Sequence, residues 1–184
     1  AIAGTAAGAL WLMHAIRLNR HDDSDAWKLW ARHLLAAGVP PDEVTWRCGD
    51  GAADLFGDAE RSCPPDAPEL RVPRAFAGLV AQALLHSDPQ RFALMYQLLW
   101  RLQRQPMLLD DASDADVARA TRLAKEVRRD IHKMRAFVRF REVPGDVAHF
   151  VAWFEPQHHI LRANASFFVN RFSTMRWSIL TPDG

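Results

Sequence analysis

The stretch from Ser113 to about Met134 constrains the fold more than any other part of the chain. Its apolar residues Val117, Ala120, Ala124, Val127, Ile131 and Met134 recur three and four positions apart. At about 100° per residue they fall on one side of an α-helix. Arg119, Arg122, Lys125, Arg129 and Lys133 fall on the other. Such a helix buries one face and shows a cationic one. Ser113, with Asp116 three residues on, resembles a capping box and marks its start.

The helix leads into the run Arg128-Arg129-Asp130-Ile131-His132-Lys133-Met134-Arg135-Ala136-Phe137-Val138-Arg139-Phe140-Arg141. The 184-residue chain carries a net charge of only +1, so this positive charge is local and the protein is not histone-like. Cations neutralise phosphates and aromatic faces stack on bases. Arg122, Arg129, Lys133, Arg135, Arg139 and Arg141 are therefore candidate phosphate contacts, with His132 or Phe137 on the base side. The competing reading is a solvated helix face, with Glu126 pairing to Arg122 or Arg129 and Asp130 to Lys133.

The chain is long enough for one domain that buries its own core. Residues 1–12 (AIAGTAAGALWL) lack the basic start of a secretory signal and are too short to span a membrane. They read as an added remnant or disordered leader, with Met13 a candidate start. Residues 13–184 read as a single α+β domain. Two cysteines, Cys48 and Cys63, make no disulfide framework, and the cytoplasm is the expected compartment.

Elsewhere the pattern predicts a strand at His14 to Leu18 and a helix from about Asp23 to Ala37, stopped by Gly38 and Pro40-Pro41. A short strand follows at Val44 to Arg47, then a loop or linker over about 48–72. Helices are predicted over Pro73 to His86 and, after Asp88-Pro89, to about Arg104. Phe137 to Val143 and Val147 to Phe154 read as an antiparallel hairpin around Pro144-Gly145-Asp146. Pro156 opens a further helix, and Met175 to Leu180 is a last strand. The fold class is α+β: a helical middle with a small antiparallel sheet formed mainly by the C-terminal third.

Chemistry is harder to find. Glu155-Pro156-Gln157-His158-His159 gathers a carboxylate and two histidines. Adjacent helical residues point about 100° apart, so His158 and His159 do not readily share a metal, and none is expected. His132, His158, His159 and Glu155 remain catalytic candidates if they converge. Gly-x-Gly-x-x-Gly, phosphate-loop, nucleophile-elbow and zinc-deaminase patterns are all missing.

Four segments carry a resemblance. They are Arg91-Phe92-Ala93-Leu94 with Leu98-Leu99-Trp100-Arg101-Leu102, the basic run from Arg128 to Phe140, Phe150-Val151-Ala152-Trp153-Phe154-Glu155-Pro156-Gln157-His158-His159-Ile160, and Met175-Arg176-Trp177-Ser178-Ile179-Leu180-Thr181-Pro182. Together they resemble a bacterial domain of unknown function labelled "probable DNA metabolism protein". That family accompanies a radical-SAM protein, or forms the N-terminal half of proteins ending in an X-type uracil-DNA glycosylase. The resemblance implies DNA and a glycosylase domain as partners, with a radical-SAM protein as a further one. The glycosylase motifs and cluster cysteines are absent, so an iron–sulfur cluster is expected only in that other half and no cofactor here.

The expectation is a DNA-associated accessory domain acting with a uracil-DNA glycosylase, its basic helix and hairpin on the phosphate backbone. The alternatives are a nucleotide or damaged-DNA processing enzyme using His132, His158, His159 and Glu155, or a partner-docking module. No membrane role is expected.

Overall fold

The amphipathic helix read from the sequence is the spine of the molecule. A computed structural model describes residues 14–49, 66–145 and 147–182. The elements are β1 (His14–Leu18), α1 (Ser24–Ala36), β2 (Val44–Cys48), α2 (Arg74–Ala83), α3 (Arg91–Leu102), α4 (Ala115–Phe137), β3 (Arg141–Val143), β4 (His149–Trp153), α5 (Leu161–Arg171) and β5 (Trp177–Leu180). The 23 residues of α4 span about 34 Å. Asp114 caps its start, accepting the N–H groups of Asp116 and Val117, while Ser113 instead donates its hydroxyl to Asp111. The cap therefore sits one residue later than the capping-box reading placed it.

Two cores lie along α4. Val117, Ala120, Leu123 and Ala124 join the larger one, with α1, β1, α2 and α3. Val127 and Met134 join the second, with Val138, Ala152, Ile160 and Phe168. Val127 and Met134 are fully buried, and each such side chain contributes roughly 1.5–3 kcal/mol of transfer free energy. The helix thereby ties the N-terminal half of the chain to the C-terminal sheet.

The N-terminal unit is β–α–β. Strands β1 and β2 pair in parallel, with His14 beside Val44 and Leu18 beside Cys48. Parallel pairing needs a crossover, and α1 supplies it. Asp23 caps α1 by accepting the Ala26 N–H. Trp27, Trp30 and Leu34 form its buried stripe. Gly38 closes it at φ +71°, which residues with a side chain rarely adopt, while the N–H groups of Gly38 and Val39 return to Leu35 and Leu34. The Trp27 indole donates to the Phe92 carbonyl and the Tyr96 hydroxyl to that of Val39, fastening this unit to α3. Residues 1–13 and 50–65, which hold the expected leader and most of the expected linker, lie outside the described residues. The short helices α2 and α3 follow as expected, and α2 packs most extensively on α4.

The fold class is α+β, as the sequence pattern indicates. Strands β3 and β4 form the antiparallel hairpin, Arg141 opposite Val151 and Val143 opposite His149. Strand β5 adds to the other edge of β4 in parallel, Trp153 beside Leu180. Two elements are shorter than the sequence pattern suggests. Helix α4 continues through Phe137, because the Val138 N–H still reaches the Met134 carbonyl, so only Arg141–Val143 remains as strand. Residues 156–160 form a turn and α5 begins at Leu161, because the Gln157 and His158 N–H groups are taken by Asp130. No described helix is long and apolar enough to cross a membrane.

Candidate functional site

Arg122, Lys125, Arg129, His132 and Lys133 are exposed and lie within about 100° of one another around α4. Among the described residues none of these side chains forms an ion pair with a carboxylate. Other cations near α4 are held by neutral groups. Arg128 donates to the Gln82 amide oxygen at 2.7 Å. Arg135 donates to that of Asn164 at 2.7 Å and lies 4.8 Å from the centre of the Phe167 ring. Arg139 donates to the carbonyls of Ala136 and Val138 at the end of the helix. A neutral acceptor orients a guanidinium without cancelling its charge. Arg141 is exposed at the start of β3, and Phe137 is 68% exposed.

Two cations behave differently. Arg119, which lacks an acid partner in the sequence pattern, pairs with Asp88 at 2.8 Å. Arg101 is bound by both Asp114 and Asp116. Among the described residues, carboxylates are thus bonded to cations at the N-terminal end of α4 and to none of the arginines and lysines along its middle and C-terminal parts.

Beside this stripe lies a histidine cluster built from three connecting segments. His86, just past α2, places Nε2 2.8 Å from Glu126 Oε2. The Asp88 backbone N–H donates to His86 Nδ1 at 2.8 Å, so a neutral His86 carries its proton on Nε2 and donates it to Glu126. That bond, with the charge of Arg122 adding to it, holds the Glu126 carboxyl below its ordinary range. The His158 ring lies against that of His86, tilted by 33° with centroids 4.0 Å apart, and its Nδ1 faces the Ser87 N–H and hydroxyl. Burial, followed by the nearby His86 and Lys133, pushes the His158 imidazole down. His159 stacks on His21 at 4.6 Å.

The segment carrying His158 is positioned by Asp130. Asp130 is only 2% exposed, and its Oδ2 accepts the N–H groups of Gln157 and His158. It does not serve Lys133, as helical spacing suggests, nor does Glu126 bond to Arg129. Carboxylates that looked like surface partners for cations are turned toward the histidine segments.

His86, Glu126 and His158 each place a ligand-type atom within 4.8 Å of the others. Two imidazoles and a carboxylate suit zinc or non-haem iron in composition. The hydrogen-bond pattern does not suit them. A metal-bound Nε2 requires the proton on Nδ1, and both Nδ1 atoms here face backbone N–H donors. The arrangement is a hydrogen-bonded network.

The four catalytic candidates are not brought together. His158 joins the network and His159 turns to His21. Glu155 accepts the Trp153 indole N–H at 2.8 Å, and His132 is exposed on the cationic stripe. His86, Glu126 and Asp130 escaped sequence reasoning as members of one site because they meet His158 across 28 to 72 positions of chain.

Residues 89–183, just over half of the chain, match a domain of unknown function, DUF4130. The chain belongs to that family. No curated protein and no solved structure matches it. The DUF4130 segment contains α3 to β5, hence the cationic stripe, Glu126, Asp130 and His158. His21 and His86 lie ahead of it, so the DUF4130 segment borrows two rings of the network from the preceding part of the chain.

Proposed function

We propose that the protein is a DNA-associated accessory domain whose α4 surface lies on the phosphate backbone. One observation carries this: Arg122, Lys125, Arg129 and Lys133 line one side of a rigid 23-residue helix with no carboxylate bonded to them among the described residues. Lysines and arginines one helical turn apart are spaced about 5–6 Å, close to the spacing of successive phosphates. Contacts of this kind position a duplex without reading its sequence. The resemblance of the sequence to the N-terminal half of uracil-DNA glycosylase fusions supports such a glycosylase as the working partner.

The test is duplex binding by fluorescence anisotropy across salt concentration. Affinity should fall steeply as salt rises, by about 0.9 log unit per log unit of salt for each phosphate neutralised. The triple change Arg122→Glu, Arg129→Glu and Lys133→Glu should abolish it. A flat salt response, or a triple variant that binds as before, overturns the reading. Retention of a glycosylase partner without any DNA would favour a docking module.

An enzymatic reading now rests on Glu126 and His158 rather than on His132, His159 and Glu155. Glu126 sits beside His86 and His158 and is partly open to solvent, so a substrate can reach it. Turnover of a nucleic acid by the wild type that disappears in Glu126→Gln, with binding intact, would establish it.

A further inference from the structure

The face of the β3–β4–β5 sheet turned away from the helices carries a second feature that α4 does not explain. Strand alternation decides which side chains lie there. Ala152 and Ile179 pack into the C-terminal core, so Val151, Trp153 and Leu180 face the other way. Phe140 packs its ring on Phe168, Phe172 and Trp177. Arg141, the register partner of Val151, lies on this outer face, and Arg139 is exposed just ahead of the strand, its guanidinium at the end of α4.

Trp153 is 57% exposed on this face, beside Leu180. Its ring is not loose: the indole N–H donates to Glu155 Oε1 at 2.8 Å. Arg139 uses Nη1 for the two carbonyls at the end of α4, leaving further N–H donors of its guanidinium in the open.

We propose that this face is a subsite for an unstacked base of single-stranded nucleic acid. Trp153 supplies the stacking surface, and Arg139 and Arg141 hold the flanking phosphates. An oriented aromatic ring beside uncompensated guanidinium groups is what a base and its phosphate require. Strand β3, at three residues, is too short an edge for an added strand to extend far. Bases inside a duplex present no free face, so the occupant is single-stranded or an extruded nucleotide. This inference rests on the nucleic-acid reading of α4 and adds the form of the substrate.

The experiment is a titration of the full chain with labelled oligothymidylate and, separately, with a duplex. Trp153→Ala should weaken oligothymidylate binding about tenfold while changing duplex binding little. Trp153→Phe should restore most of the loss, since it keeps a π-face. Both variants should melt like the wild type, because the ring is largely exposed. Unchanged oligothymidylate affinity in Trp153→Ala, with the α4 triple variant still defective, overturns this subsite and leaves the α4 reading standing. A wild type that self-associates through the face, with Trp153→Ala monomeric and binding unaltered, also overturns it. Failure of the wild type to bind either nucleic acid sinks both.

Discussion

Asp130 and His158 are joined through the backbone: the carboxylate on α4 accepts the His158 N–H at 3.0 Å, and through the same oxygen that of Gln157. A helix residue thus acts as the cap of a turn 28 positions away. This fixes where α5 can begin and where the His158 ring can sit.

Removing that acceptor should be costly. Asp130→Ala leaves two part-buried backbone donors without their protein partner, at up to about 1–3 kcal/mol for an unsatisfied group. Asp130→Asn keeps one acceptor oxygen and should recover much of the loss. Urea denaturation of the two variants decides it, and equal stability of Asp130→Ala and wild type would remove Asp130 from this role.

The acid limb of stability should show two steps. The folded protein holds the His158 imidazole below its ordinary 6.5, so the unfolded chain takes up that proton first. Stability attributable to His158 is complete above 6.5 and declines as pH falls below it, levelling off beneath the folded value. Glu126, held below its ordinary 4.5, gives a second decline below that pH. Unfolding midpoints measured across pH should lose the upper step in His158→Gln and keep the lower.

The start of α4 offers a comparison of neighbours. Asp114→Ala removes the acceptor for the Asp116 and Val117 N–H groups and the partner of Arg101, and should lower the melting temperature clearly. Ser113→Ala removes only an exposed hydroxyl bonded to Asp111 and should change little. Thermal melts of the two variants separate the positions.

Arg119 and Arg129 should separate stability from binding. Arg119 is engaged by Asp88, so Arg119→Ala should lower the melting temperature slightly and leave the salt dependence of DNA binding unchanged. Arg129→Ala should leave stability unaltered and reduce the salt slope by about one contact. The reverse pattern would refute the assignment of charge along α4.

What could be read from residue order was what depends on neighbours within a turn or two. The three-and-four spacing of Val117, Ala120, Ala124, Val127 and Met134 defined α4 and its opposite cationic stripe, and Gly38 and Pro40 defined the end of α1. The β-like runs on either side of Pro144-Gly145-Asp146 defined the hairpin. The mutual arrangement of these pieces was decided by packing. Nothing local to Trp177–Leu180 tells it to pair in parallel with β4, and nothing local to Glu126 turns it toward His86 rather than Arg129. A carboxylate within reach of several donors goes where burial makes an unpaired donor most expensive, and burial is a property of the assembled chain.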